Sequence, residues 1–82
     1  MLLDIMIYPN PSNGTSTLMI NSDIVQKATL VLHDTQGREI RNEAVLLEKD
    51  ANEISLNLNT KGVYLLSLRT EKGELQRKIV VE

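Results

Sequence analysis

The sequence predicts an all-β fold, an antiparallel sandwich of about seven short strands in two sheets. Three observations lead there. Apolar and polar residues alternate along several segments, which turns one face of each toward a core and the other toward water. Clusters of Gly, Pro, Asn and Asp separate those segments at spacings of about 8–12 residues, as between short strands. The only helix candidate, Ser22–Lys27, is too short to hold a helix alone.

The elements follow in order. Ile5–Tyr8 opens the chain as a strand candidate. In Thr15–Ile20, Ser16, Leu18 and Ile20 share a face, and in Lys27–His33 so do Ala28, Leu30 and Leu32. Arg38–Leu47 alternates irregularly, which points to a bulge. Ile54–Asn59 alternates without a fault, whereas Val63–Leu68 is nearly continuous apolar, as in a central strand. Near the end Leu75, Ile79 and Val81 share a face. The expected core is Leu30, Leu32, Ile54, Leu56, Leu58, Leu66, Leu68 and Ile79. Turns are expected at Pro9–Gly14, Asp34–Gly37, Lys61-Gly62 and Glu71–Gly73. In such turns Pro presets φ, Gly supplies positive φ, and Asn or Asp bonds nearby backbone.

Composition narrows the function. The chain has 82 residues, enough for one domain and one core. Its stability is expected at roughly 4–12 kcal/mol, which leaves little to sustain a strained, buried active site. Hydrophobic residues are 41%, charged residues 24% and the net charge is −2. That balance suits a globular domain and offers nothing to nucleic acid or to an anionic membrane surface. With two Tyr, no Phe and no Trp, there is almost no platform on which bases or sugars could stack. The absence of Cys excludes a disulfide framework, Cys-ligated zinc and a thiol nucleophile. No apolar run approaches the about 20 residues that span a bilayer. The start, Met1 to Tyr8, lacks a basic region and a small-residue cleavage site, so it is no signal peptide. If the domain is exported, its signal lies on a longer parent protein.

Candidate chemistry is sparse. His33 is the one histidine, and nothing in the spacing of Ser and Asp singles out a triad around it. It reads as a strand-end histidine. Asp34–Gly37 offers one carboxylate, far short of the oxygens a calcium ion needs. Glu48, Asp50 and Glu53 with Lys49 read as a solvated loop. Asn13-Gly14-Thr15 matches a glycosylation pattern, but Asn-Gly is better explained by a turn. No phosphate loop, dinucleotide glycine pattern or catalytic carboxylate pair stands out, and no metal or cofactor is expected. The reading is of a non-catalytic domain.

The turns also carry a resemblance. Tyr8-Pro9-Asn10-Pro11-Ser12-Asn13-Gly14 resembles the opening motif of type IX secretion system (Por secretion system) C-terminal sorting domains of Bacteroidetes. Asp34-Thr35-Gln36-Gly37-Arg38 resembles their central Asp-x-x-Gly-Arg turn. Lys61-Gly62-Val63-Tyr64-Leu65-Leu66 and then Gly73 with Lys78-Ile79-Val80-Val81 resemble their closing segments. The motifs occur in the family's order and cover nearly the whole chain. Two positions depart. Ser16 stands near where the family often has an aromatic, which implies a smaller core, and Glu82 stands where a basic residue is common.

The resemblance implies an immunoglobulin-like sandwich and a transport role. Residues 1–82 would be the single C-terminal sorting domain of a larger secreted protein. An N-terminal cargo would reach the periplasm by a separate signal peptide and leave for the cell surface or medium. The partners implied are the outer-membrane secretion machinery, including a sortase-like peptidase. An immunoglobulin-like accessory or adhesion module is the alternative. For machinery recognition the closing segments nominate Gly62, Val63, Tyr64, Arg77, Lys78, Ile79, Val80 and Val81. A final strand suits that task as a sheet edge with unpaired backbone. Two cations beside an apolar run can steer encounter and hold the bound state, or merely keep the edge from aggregating. Pro9, Asn10, Pro11, Gly14, Asp34, Gly37, Arg38 and Gly73 read chiefly as structural turn residues. Pro9 and Pro11 are expected to stop the first strand from pairing further. Asp34 is expected to cap its own turn with Arg38 reaching back to it. The Tyr64 ring is expected to pack while its hydroxyl finds a partner.

Overall fold

A computed structural model describes residues 3–82. Met1 and Leu2, which begin the stretch that lacks signal-peptide features, lie outside the described residues. Seven strands follow one another: β1 Leu3–Tyr8, β2 Thr15–Ser22, β3 Gln26–His33, β4 Glu39–Leu47, β5 Asp50–Asn57, β6 Gly62–Thr70 and β7 Gly73–Val81. They form two antiparallel sheets, ordered β1-β2-β5 and β4-β3-β6-β7. In immunoglobulin lettering these are A-B-E facing C′-C-F-G.

Alternation places the core. Leu18 and Ile20 of β2 and Leu56 of β5 face Leu30 and Leu32 of β3, Leu66 and Leu68 of β6, and Ile79 of β7. All eight are buried. Leu58 lies beyond the end of β5 yet is buried, because its N–H donates to the Gly14 carbonyl at 2.7 Å. Ile54 is half-buried and packs against the cluster from the edge strand β5. Ser16, where the family often has an aromatic, is buried and its hydroxyl donates to the Pro9 carbonyl at 2.9 Å.

The structure differs from the sequence reading at several points. Ser22–Lys27 forms no helix: Ser22 ends β2, Gln26 begins β3, and a bend joins them. The Ser22 hydroxyl donates to the Ile24 carbonyl at 2.7 Å and accepts from Gln26 Nε2 at 2.8 Å. Such local side-chain bonds favour a turn over a helix. The bulge expected in Arg38–Leu47 is present: in β4 the pairing with β3 jumps from Leu32↔Arg41 to His33↔Glu39, so Ile40 is the extra residue. The irregular alternation of β4 has a second cause. Its inner face carries Arg41 and Glu43, paired at 2.9 Å, and Arg41 also donates to the Ser55 carbonyl at 3.2 Å. Charges on the inner face of an edge strand close the side of the sandwich and discourage further pairing.

Glu48, Lys49, Asp50 and Glu53 are exposed to solvent as expected, but Asp50 and Glu53 belong to β5 and not to a loop. Asn52 accepts from the Glu48 N–H at 2.8 Å, and its amide donates to the carbonyls of Glu48 at 3.0 Å and Ile20 at 3.2 Å. It thereby fastens the loop to β2. Among the described residues, no helix is long and apolar enough to cross a membrane.

Candidate recognition surface at the closing strand

β7 is an edge strand, paired with β6 from Gly62↔Val81 to Thr70↔Gly73. Pairing is not confined to β6, however. The segment after β1 runs along the outer edge of the last part of β7 and bonds to it. Asn10 acts there as a peptide mimic: its Nδ2 donates to the Lys78 carbonyl at 2.9 Å and its Oδ1 accepts the Val80 N–H at 2.9 Å. Ser12 adds a parallel bridge, donating its N–H to the Val80 carbonyl at 3.0 Å and accepting the Glu82 N–H at 2.8 Å. Pro9 and Pro11 do end β1 at Tyr8, but they deliver the chain into this strap instead of releasing it from the sheets. The expectation of a wholly unpaired closing edge is corrected accordingly. Edge protection is what the strap supplies.

The nominated residues divide by side-chain direction. Tyr64, Ile79 and Val81 are in the core. The Tyr64 hydroxyl donates to the Thr60 carbonyl, four residues back, in the manner of a tyrosine corner at the F-strand position. Gly62 is packed against Thr35. Val63 is 47% exposed and stands on the outer face opposite Val80, with Leu65 (39% exposed) opposite Lys78 on the same face. The near-continuous apolar run of β6 therefore fills the core with Tyr64, Leu66 and Leu68 and leaves Val63 and Leu65 on the surface. Arg77 has the inward parity of Leu75, Ile79 and Val81 yet is exposed at the rim, where its guanidinium donates to the Gln76 carbonyl at 2.9 Å. The surface thus combines Val63, Leu65 and Val80 with Lys78, beside Arg77 and the exposed strap residues Pro9, Asn10 and Pro11. Leu65 and Ser12 were not singled out by the sequence. Leu65 was legible as the surplus apolar residue of β6, whereas nothing local marks Ser12.

The outer face continues into a polar row. Arg69 Nε lies 3.4 Å and Gln76 Nε2 3.2 Å from Glu74 Oε1. The hydrogen bond from Gln76, with those from Arg69 and Ser67, holds the Glu74 carboxyl below its usual range.

The central turn is a second motif at the same end of the sandwich as Gly62. Asp34 Oδ1 accepts the N–H groups of Gln36 and Arg38, both at 2.9 Å. Its Oδ2 accepts Arg38 Nε at 2.8 Å, and Gly37, at φ 82°, donates its N–H to the Asp34 carbonyl at 3.0 Å. The Arg38 N–H foremost, then the Gln36 N–H and the guanidinium, hold the Asp34 carboxyl below its usual value of 3.8, against a smaller opposing effect of desolvation. Folding therefore favours the ionised form, and the turn's contribution is present above pH 3.8 and lost as pH falls through the depressed value. The stability deficit of Asp34→Ala is expected to be full at neutral pH and to shrink below about pH 4. Urea unfolding of both proteins at pH 7 and pH 3 checks this; a deficit independent of pH contradicts it.

His33 ends β3, half-buried, and its Nδ1 is buried without a hydrogen-bond partner among the described residues. Asn13 is exposed in the strap and Gly14 follows at φ 126°. Gly73 closes the two-residue β6–β7 hairpin at φ 143°.

Comparison with known proteins agrees with this architecture. The family profile described as "Secretion system C-terminal sorting domain" matches residues 6–82. Latent dimeric PorU from Porphyromonas gingivalis, a solved structure, superposes with a TM-score of 0.70 at 18% identity. The alignment covers 98% of this chain and 9% of that one, and it shows a shared fold. No curated protein matches the chain. With nearly all of its length matched, from the strap through the closing strand, the chain belongs to the secretion system C-terminal sorting domain family, the sorting signals that direct export by type IX secretion.

Proposed function

We propose that the domain is the folded, non-catalytic address label of a larger protein, and that its outer β6–β7 face beside the strap is what the secretion machinery reads. The cargo would precede it in the chain and pass through the periplasm on its way to the cell surface or medium. A sortase-like peptidase would be among the partners. Within the folded domain Val63, Arg77 and Lys78 are exposed and Val80 half-buried beside them, whereas Gly62, Tyr64, Ile79 and Val81 shape the strand that presents them. The observation that carries this reading is the meeting of the opening and closing motifs on one edge through Asn10 and Ser12. Lys78 and Arg77 supply steering charge, and Val63, Leu65 and Val80 supply apolar contact.

The test fuses the domain to a periplasm-targeted fluorescent cargo in a bacterium with type IX secretion. Arg77→Glu with Lys78→Glu, in a domain still folded by circular dichroism, is expected to cut surface delivery on the order of tenfold. Deletion of residues 76–82 is expected to abolish it. Normal delivery of the charge-reversed domain would sink the assignment of the surface.

A further inference from the structure

The outward backbone groups of the last part of β7 are covered by the molecule itself, but by a makeshift partner. Lys78 O, Val80 N–H, Val80 O and Glu82 N–H point away from β6 and bond to the strap. By strand alternation the same groups of Glu74 and Gln76 point outward too, and of these the Gln76 carbonyl accepts from the guanidinium of Arg77. The strap contributes one exposed side-chain amide, Asn10, and the backbone of one buried residue, Ser12, instead of a continuous ladder. An extended strand along positions 74–82 would engage the whole row.

From this we infer that the strap is a displaceable cap on the β7 edge, and that a strand of the secretion machinery takes its place, adding to the four-stranded sheet. The inference deepens the sorting reading above and rests on it. The strap shows the geometry in miniature, because Ser12 pairs with Val81 in parallel. A strand added there sets alternate side chains beside Lys78 and Val80 on the outer face. The segment it fits is extended, with a carboxylate facing Lys78 and an apolar residue two positions away facing Val80. Displacement of residues 10–13 breaks the bonds of Asn10 and Ser12 to β7 and that of the Gly14 N–H to the Ser12 hydroxyl, while the anchors at either end, Ser16 to the Pro9 carbonyl and Leu58 to the Gly14 carbonyl, can stay, as can the core residues Leu66 and Ile79.

Two substitutions separate this from recognition of the strapped surface. Asn10→Ala removes the clasp but keeps every backbone group of β7. Val80→Pro keeps an apolar residue but removes the outward N–H, on an edge strand where proline is tolerated. In the isolated domain, Asn10→Ala is expected to speed amide exchange of Val80 about fivefold with Leu66 unchanged; no acceleration would mean that the clasp does not guard the edge. In cells carrying the fluorescent fusion, folded Asn10→Ala is expected to reach the surface at least as fast as the wild type. Val80→Pro is expected to fall on the order of tenfold. Slower delivery of folded Asn10→Ala, or normal delivery of Val80→Pro, overturns displacement. If Val80→Pro does not fold, the Asn10→Ala result decides alone. Failure of the wild-type fusion to leave the periplasm would count against the sorting reading itself.

Discussion

Leu66→Ala is expected to cost about 2–5 kcal/mol of unfolding free energy, the range for emptying a fully buried leucine site. Leu66 is wholly buried in β6, paired with Leu32 on one side and Arg77 on the other. Both neighbouring strands are held in register, so the cavity cannot collapse easily. Against a total of roughly 4–12 kcal/mol, the loss removes a large share of the folded population's margin. Leu56→Ala, in the opposite sheet and equally buried, is expected to behave alike. The internal control is Leu65→Ala, one residue away but facing outward and 39% exposed, for which a change of about 1 kcal/mol or less is expected. Urea unfolding followed by circular dichroism measures all three. A larger loss at Leu65 than at Leu66 would mean that the register of β6 is shifted by one.

Gly62→Ala is expected to destabilise the domain by a comparable amount, through two separable effects. Gly62 has φ 145°, where a side chain is strained, and a Cβ there would lie 2.2 Å from the Thr35 Cγ2 methyl. The backbone strain is worth about 1–3 kcal/mol, and the overlap with a branched side chain adds about 1–3 kcal/mol. Thr35→Ser removes the offending methyl, leaving the Thr35 Cβ at an ordinary 3.5 Å. The double substitution Gly62→Ala with Thr35→Ser is therefore expected to recover the contact part and retain the backbone part. A double-mutant cycle showing simple additivity would refute the contact. The same contact explains how the central turn and the entry to β6 hold each other, so that Gly62 belongs to the folding of the closing segment more than to its surface.

Much of this architecture was legible because it is local. The faultless alternation around Leu56 and the shared face of Ala28, Leu30 and Leu32 assign side chains to core or solvent without reference to any partner. The Asp34–Arg38 turn was legible for the same reason, since donor and acceptor are at most four residues apart. Reading failed where a residue's role depends on what crosses it. Ser22–Lys27 looked like a helical fragment because its turn is made by the Ser22 hydroxyl, which bonds the Ile24 carbonyl and the Gln26 amide. Arg41 and Glu43 broke the alternation of β4 because that strand lies at an edge, and edge position is a property of the sheet.

The candidate site shows the division most clearly. Two cations beside Ile79-Val80-Val81 and the proline-flanked Asn10 are visible in the sequence, and so is the family they announce. Their meeting is not visible. Asn10 bonds to Lys78 and Val80 across separations of 68 and 70 residues, and no local periodicity encodes which strand ends beside which. Strand faces, turns and family follow from residues close together in the chain. The strapping of the closing edge emerges only on folding, because sheet order, set by burial of the whole core at once, is what brings the opening and closing segments together.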